Sequence, residues 1–164
     1  MDTFECISKR SSVRAYQAKP IARSILEKLV DAGRRAPTAR ALEPWEFVVV
    51  TNREILKKLG ETANSGDFIK DSSSCIAVFC KDTKYYLEDG SAATENILLA
   101  AADIGLGACW VAGDKKPYVG EVSGILGAPS DLKLVSLISL GWPRGETRQA
   151  KSRKLKDVIH WEGF

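Results

Sequence analysis

Histidine is almost missing from this chain: its 164 residues contain one, His160, four positions from the end. That leaves no upstream base for a Ser-His-Asp arrangement and no second ligand for a multi-histidine metal centre. The carboxylates form no DxD or ExxH pattern, and no GKS or GKT sequence marks a P-loop. No uninterrupted apolar run exceeds six residues, Ile97 to Ala102 among them, where a membrane span needs roughly 20. Met1 to Arg10 reads as an amphipathic helix, not as a secretory signal. The four cysteines, Cys6, Cys75, Cys80 and Cys109, form no CxxC pair and are expected as buried thiols in a reducing cytoplasm. Excess charge is small as well. A net +3, with aromatic residues not interleaved among the basic ones, argues against nucleic acid as a partner.

What is present suits one domain spanning residues 1–164, with 45% hydrophobic and 27% charged residues and enough length to bury a core. Asp2 or Thr3 caps a first helix to about Lys9, with Phe4, Ile7 and Cys6 turned inward. Pro20 opens a second helix, Ala22 to Arg35, which Pro37 stops. Trp45 to Thr51 is rich in β-branched and aromatic residues and predicts a strand buried on both faces. Arg53 to Gly60 is a short amphipathic helix, Ser65 to Asp71 a further helical turn, and Cys75 to Cys80 a buried strand. A long helix from Tyr86 to Leu106, apolar almost all round in its second half, belongs in the centre of the core. Ala108 to Ala112 and Leu134 to Leu140 are further strands, separated by a helix over Lys115 to Leu126. This order predicts an α+β layer fold with a mixed sheet.

Three segments have compositions that core packing does not require. Arg10-Ser11-Ser12-Val13-Arg14 groups two guanidiniums and two hydroxyls, a set that suits phosphate oxygens. Alone it also reads as a solvated basic turn. Ala36 to Trp45 runs from a helix end through two prolines into a strand, and its small residues let backbone approach a flat ligand. The third segment carries Arg144, Arg148, Lys151, Arg153, Lys154 and Lys156, a solvated charge run or a second clamp on the same anion. Gly105-Leu106-Gly107 is no dinucleotide fingerprint, because it follows a helix, precedes a strand and lacks the third glycine. An enzyme built from these residues would leave its reaction to an organic cofactor.

Together the segments resemble the FMN-dependent nitroreductase family, in that family's order and over nearly the whole chain. Lys9 to Tyr16 is similar to its Arg-x-Ser-hydrophobic-Arg/Lys-x-aromatic opening. Ala36-Pro37-Thr38-Ala39, continuing to Glu43-Pro44-Trp45-Glu46-Phe47, resembles its Ala-Pro-Ser/Thr…Gln-Pro-Trp-x-Phe segment. Ala92 to Trp110 resembles its central helix and glycine turn, and Gly141-Trp142-Pro143 through Arg153 to Trp161 its closing stretch.

The resemblance implies a nitroreductase-like mixed β-sheet flanked by helices, a long central core helix and an intertwined homodimer with two flavin sites at the interface. It implies FMN held at its phosphate and ribityl chain by Arg10, Ser12 and Arg14, with contact from Ser11 and with Arg153 and Lys151 closing from the tail. Ala112 and Gly113 match backbone along the flavin ring, with an N–H aimed near its N5. Pro37, Thr38 and Ala39 match a segment offered to the partner subunit's flavin. The implied activity passes electrons from NAD(P)H to a nitroaromatic, a quinone or a similar small acceptor. An alternative is an FMN-binding protein without turnover, serving storage or redox sensing. Ala41 and Glu43 stand where the family often carries Asn and Gln, and the short stretch between Lys115 and Leu134 implies a more open pocket.

Overall fold

The computed structural model describes residues 1–145 and 152–164. Five helices, α1 (Thr3–Lys9), α2 (Arg23–Arg34), α3 (Arg53–Thr62), α4 (Tyr86–Asp103) and α5 (Val119–Leu126), accompany four strands among these residues. The strands are β1 (Trp45–Val50), β2 (Ser74–Lys81), β3 (Gly107–Ala112) and β4 (Leu132–Gly141), in the sheet order β1-β2-β4-β3. All three strand pairs are antiparallel. The only parallel pairing among the described residues is an isolated bridge from Ser12 to Ala108, so the expected mixed sheet is antiparallel in every full ladder.

Period-two alternation divides the central strands between two helical layers. Ile76 and Val78 of β2 face α2 and α4, packing with Leu26, Leu29, Ile97, Leu98 and Ala101. Cys75, Ala77 and Phe79 face the other layer, packing with Leu56, Leu59 and Val122 of α3 and α5. A bulge opposite Val78 and Phe79 turns both Val135 and Ser136 of β4 toward α4, where the Ser136 and Thr94 hydroxyls meet at 2.8 Å.

Local chemistry sets the helix ends. The Asp2 carboxylate accepts from the Glu5 N–H to start α1, and Asn52 accepts from Glu54 and Ile55 to start α3. Gly105, at φ +78°, closes α4 with a Schellman pair: Leu106 N–H donates to Ala101 and Gly105 N–H to Ala102. The long helix therefore ends at Asp103, short of the expected Leu106.

Three other expectations change. Phe4 and Ile7 are 85% and 50% exposed, and Cys6 alone anchors α1 in the core. Strand β1 lies at a sheet edge and exposes Glu46 and Val49, so it is not buried on both faces. Helix α5 begins only at Val119, because Lys115 takes a left-handed φ of 58° and the chain turns before Tyr118.

Candidate functional site

Residues 12–17 lie in extended form across the ends of β3 and β4. The Val13 N–H donates to the Ala108 carbonyl at 2.9 Å, Gln17 N–H to Trp142 at 2.8 Å, and Arg144 N–H to Ala15 at 2.9 Å. The buried Tyr16 hydroxyl pins the segment from below, meeting Val13 O and Ser139 Oγ at 2.6 Å each. Two glycines make room. A Cβ at Gly107 would sit 2.6 Å from Val13, and one at Gly141 would sit 2.5 Å from the Tyr16 ring.

This anchorage fixes Arg10, Ser11, Ser12 and Arg14 around the buried Val13. The Arg10 guanidinium lies 3.9 Å from the Glu95 carboxylate of α4. Arg14 stacks over Phe68, with 5.7 Å between guanidinium carbon and ring centroid. The Cys109 thiol donates to the Trp110 carbonyl at 3.8 Å. Burial pushes that thiol above its usual range, although Arg14, Ser12 and Arg10 oppose the shift. Cys109 is thus a protonated packing group at neutral pH. The Ser11 hydroxyl is buried with no partner among the described residues, and Ser11 lines a groove of about 500 Å³ with Lys9, Arg10, Gly105 and Ala108. A buried hydroxyl without a partner is costly, and an acceptor oxygen of a bound group would satisfy it.

At the far end of β3, of the two residues expected along the ring, only Ala112 has its N–H directed away from the sheet ladder. Gly113 N–H is spent on the Val135 carbonyl at 3.0 Å. Ladder alternation therefore turns the Ala112 N–H to the open edge of β3. The Tyr118 hydroxyl donates to the Ala112 carbonyl, and the Tyr86 hydroxyl donates to Asp114 at 2.6 Å, fixing the turn on both sides.

Pro37, Thr38 and Ala39 are held elsewhere. Asp89, on α4, accepts from the Thr38 hydroxyl and the Ala39 N–H. Glu95, the neighbour of Arg10, lies six residues further along the helix, about 9 Å of rise away. Within one chain the 37–39 segment and the Arg10–Arg14 cluster are thus tied to different turns of α4.

Arg153 donates to the Asp157 carbonyl within its own exposed tail, and Lys151 lies outside the described residues. His160 is also in that tail, its ring 4.3 Å from Phe164. Lys70 pairs with Asp67 at 2.7 Å. No group of three His, Cys, Asp or Glu side chains suited to a metal occurs among the described residues. Asp89, Tyr86 and Tyr118 escaped the sequence reading. Asp89 is one of four acidic residues in that helix, with Glu88, Glu95 and Asp103, so nothing in the sequence singles it out.

The comparisons agree with one another. The family model for the nitroreductase family matches residues 7–71 and 81–142. A protein of Archaeoglobus fulgidus whose name proposes an NADH dehydrogenase/NAD(P)H nitroreductase is 35% identical, over 98% of each chain. A crystal structure from Parabacteroides distasonis, with the same proposed name, is 32% identical, with a TM-score of 0.93 over 99% of this chain and 98% of that one. An FMN-dependent nitroreductase of Clostridium difficile is 26% identical and superimposes with a TM-score of 0.91, over 99% of this chain and all of that one. On fold and sequence alike, the chain belongs to the nitroreductase family.

Proposed function

We propose that the chain is an FMN-dependent oxidoreductase that takes electrons from NAD(P)H and delivers them to nitroaromatic, quinone or similar small acceptors. The carrying observation is the pinned Arg10–Arg14 segment, in which the Ser11 hydroxyl is buried without a partner among the described residues and Ser11 and Arg10 line one groove. These residues fit a phosphate-bearing cofactor: guanidiniums offer paired donors and the hydroxyls fill the remaining acceptors. Arg10, Ser11, Ser12 and Arg14 would hold the phosphate and ribityl chain, with Arg153 and Lys151 closing over it. Ala112 would offer its outward N–H to the ring, and Gly113 would shape the turn behind it. Bound there, FMN supplies the two-electron exchange between NAD(P)H and the acceptor.

The chain's own share is anchorage and orientation. No nucleophile–histidine pair is needed, which agrees with a lone histidine in the tail. The site is proposed to be completed in a homodimer, with Pro37, Thr38 and Ala39 reaching the other subunit's flavin. The exposed Phe4, Ile7, Leu155 and Trp161 support burial against a second copy. Four buried, unpaired cysteines support a reducing, cytoplasmic setting.

The test is anaerobic mixing of the FMN-loaded protein with NADH and with NADPH, following flavin absorbance. Rapid bleaching, then recovery on adding a quinone, is expected. Failure of the protein to bind FMN overturns the reading, and bound FMN that stays yellow points to storage.

A further inference from the structure

We infer that Asp89 is the positioning residue that holds the 37–43 loop in its working shape, and so sets flavin affinity through the loop without touching the cofactor. The inference rests on the proposal that this loop reaches a flavin.

Asp89 is 5% exposed, among buried Gly90, Ala93 and Thr94. A carboxylate placed there loses hydration, which is offset only by the donors it meets. Both oxygens are spent on one loop. Oδ1 accepts from the Ala39 N–H at 2.9 Å, and Oδ2 from the Thr38 hydroxyl at 3.0 Å. Thr38 Oγ1 then accepts from the Glu43 N–H at 3.1 Å, so one carboxylate ties both ends of the turn.

The turn between needs that tie. Arg40, Ala41 and Glu43 have φ of 58°, 53° and 46°, a left-handed region that non-glycine residues enter at a cost. Arg40 to Glu43 are all exposed, so their packing within this chain does not offset the strain. Such a conformation persists when its surroundings over-determine it. Charge-assisted bonds from a buried carboxylate are strong enough for that task. If only the tied loop binds flavin, apparent affinity falls in proportion to the fraction of loops held.

The experiment titrates FMN into the apoproteins of wild type, Asp89→Asn, Thr38→Val and Ala39→Trp, reading flavin fluorescence, with sedimentation for assembly. Hydrogen exchange is followed at the Ala39 and Glu43 amides. Asp89→Asn keeps the side-chain size but replaces one acceptor oxygen with a donor. We expect its Kd to rise about tenfold or more. Exchange should quicken at residues 38–43 alone, with sheet protection and assembly unchanged. Thr38→Val should shift both readouts the same way; because Thr38 is itself placed at the flavin, its exchange at residues 39–43, not its affinity, decides the matter if Asp89→Asn does not fold. Wild-type affinity in the Asp89 and Thr38 variants, with binding lost in Ala39→Trp, would overturn the role of Asp89 alone. Wild-type affinity in Ala39→Trp removes the loop from the flavin site and overturns the premise.

Discussion

Gly107 and Val13 stand so close that a Cβ on the glycine would lie 2.6 Å from Val13 Cγ1. The neighbouring Val13–Ala108 hydrogen bond depends on that approach, and with it the position of Ser12 and Arg14. Gly107→Ala must therefore push the 12–14 segment off β3 or strain both. We expect a loss of about 1–3 kcal/mol of stability, the usual cost of overpacking, together with weaker FMN binding. Thermal melting of the apoprotein and fluorescence titration with FMN check the two effects separately.

Replacing Arg10 and Arg14 together by Gln should release FMN while leaving the fold intact. Arg14 is exposed, and its stacking on Phe68 is worth about 0.5–1 kcal/mol at such a site. Two charge-assisted contacts to a phosphate, at roughly 1.5–3 kcal/mol each, correspond to an affinity loss on the order of 100-fold or more. Circular dichroism should be unchanged and the purified protein colourless. A yellow double variant contradicts the assignment.

The tyrosine that fixes the turn after β3 offers a narrower test. The Tyr118 hydroxyl donates to the Ala112 carbonyl, and burial raises its pKa, so it stays a donor at neutral pH. Tyr118→Phe leaves that carbonyl short of a partner and should cost about 1 kcal/mol in urea unfolding. The Ala112 N–H belongs to the preceding peptide, so FMN affinity should fall much less than in the double-arginine variant.

The elements most legible in the sequence were those in which one local rule decides the outcome. Asp2 marked the start of α1 and Pro37 the end of α2, and the apolar run of β2 marked a central strand. Edge position is not local: β1 and β2 are similar apolar runs, yet only pairing order leaves Val49 exposed. Phe4 and Ile7 show the same limit, because an amphipathic face does not say whether its own chain or another covers it. At the site, residue types marked Arg10 to Arg14. Which of Ala112 and Gly113 keeps its N–H outside the ladder follows from ladder phase, which exists only once β4 is paired. Asp89 was hidden for a related reason: its partners are 50 and 51 residues away.

Alkaline pH should unfold this protein through its buried acids. Burial pushes the Cys75 and Cys80 thiols from 9.0 to about 12, and the bond to Asp114, with burial, pushes Tyr86 from 10.0 to about 12. Each group loses its proton more readily in the unfolded chain than in the native one. Their stabilising share is therefore whole below about pH 9, and it shrinks as pH rises from there to about 12. Urea midpoints measured from pH 8 to 11.5 should fall steadily above 9, and Tyr86→Phe should flatten the upper part of that fall. A disulfide-exchange reagent at pH 8 should leave the four buried cysteines almost untouched in native protein and titrate all of them in denaturant. Rapid labelling of a native thiol would contradict the burial on which the pH slope depends.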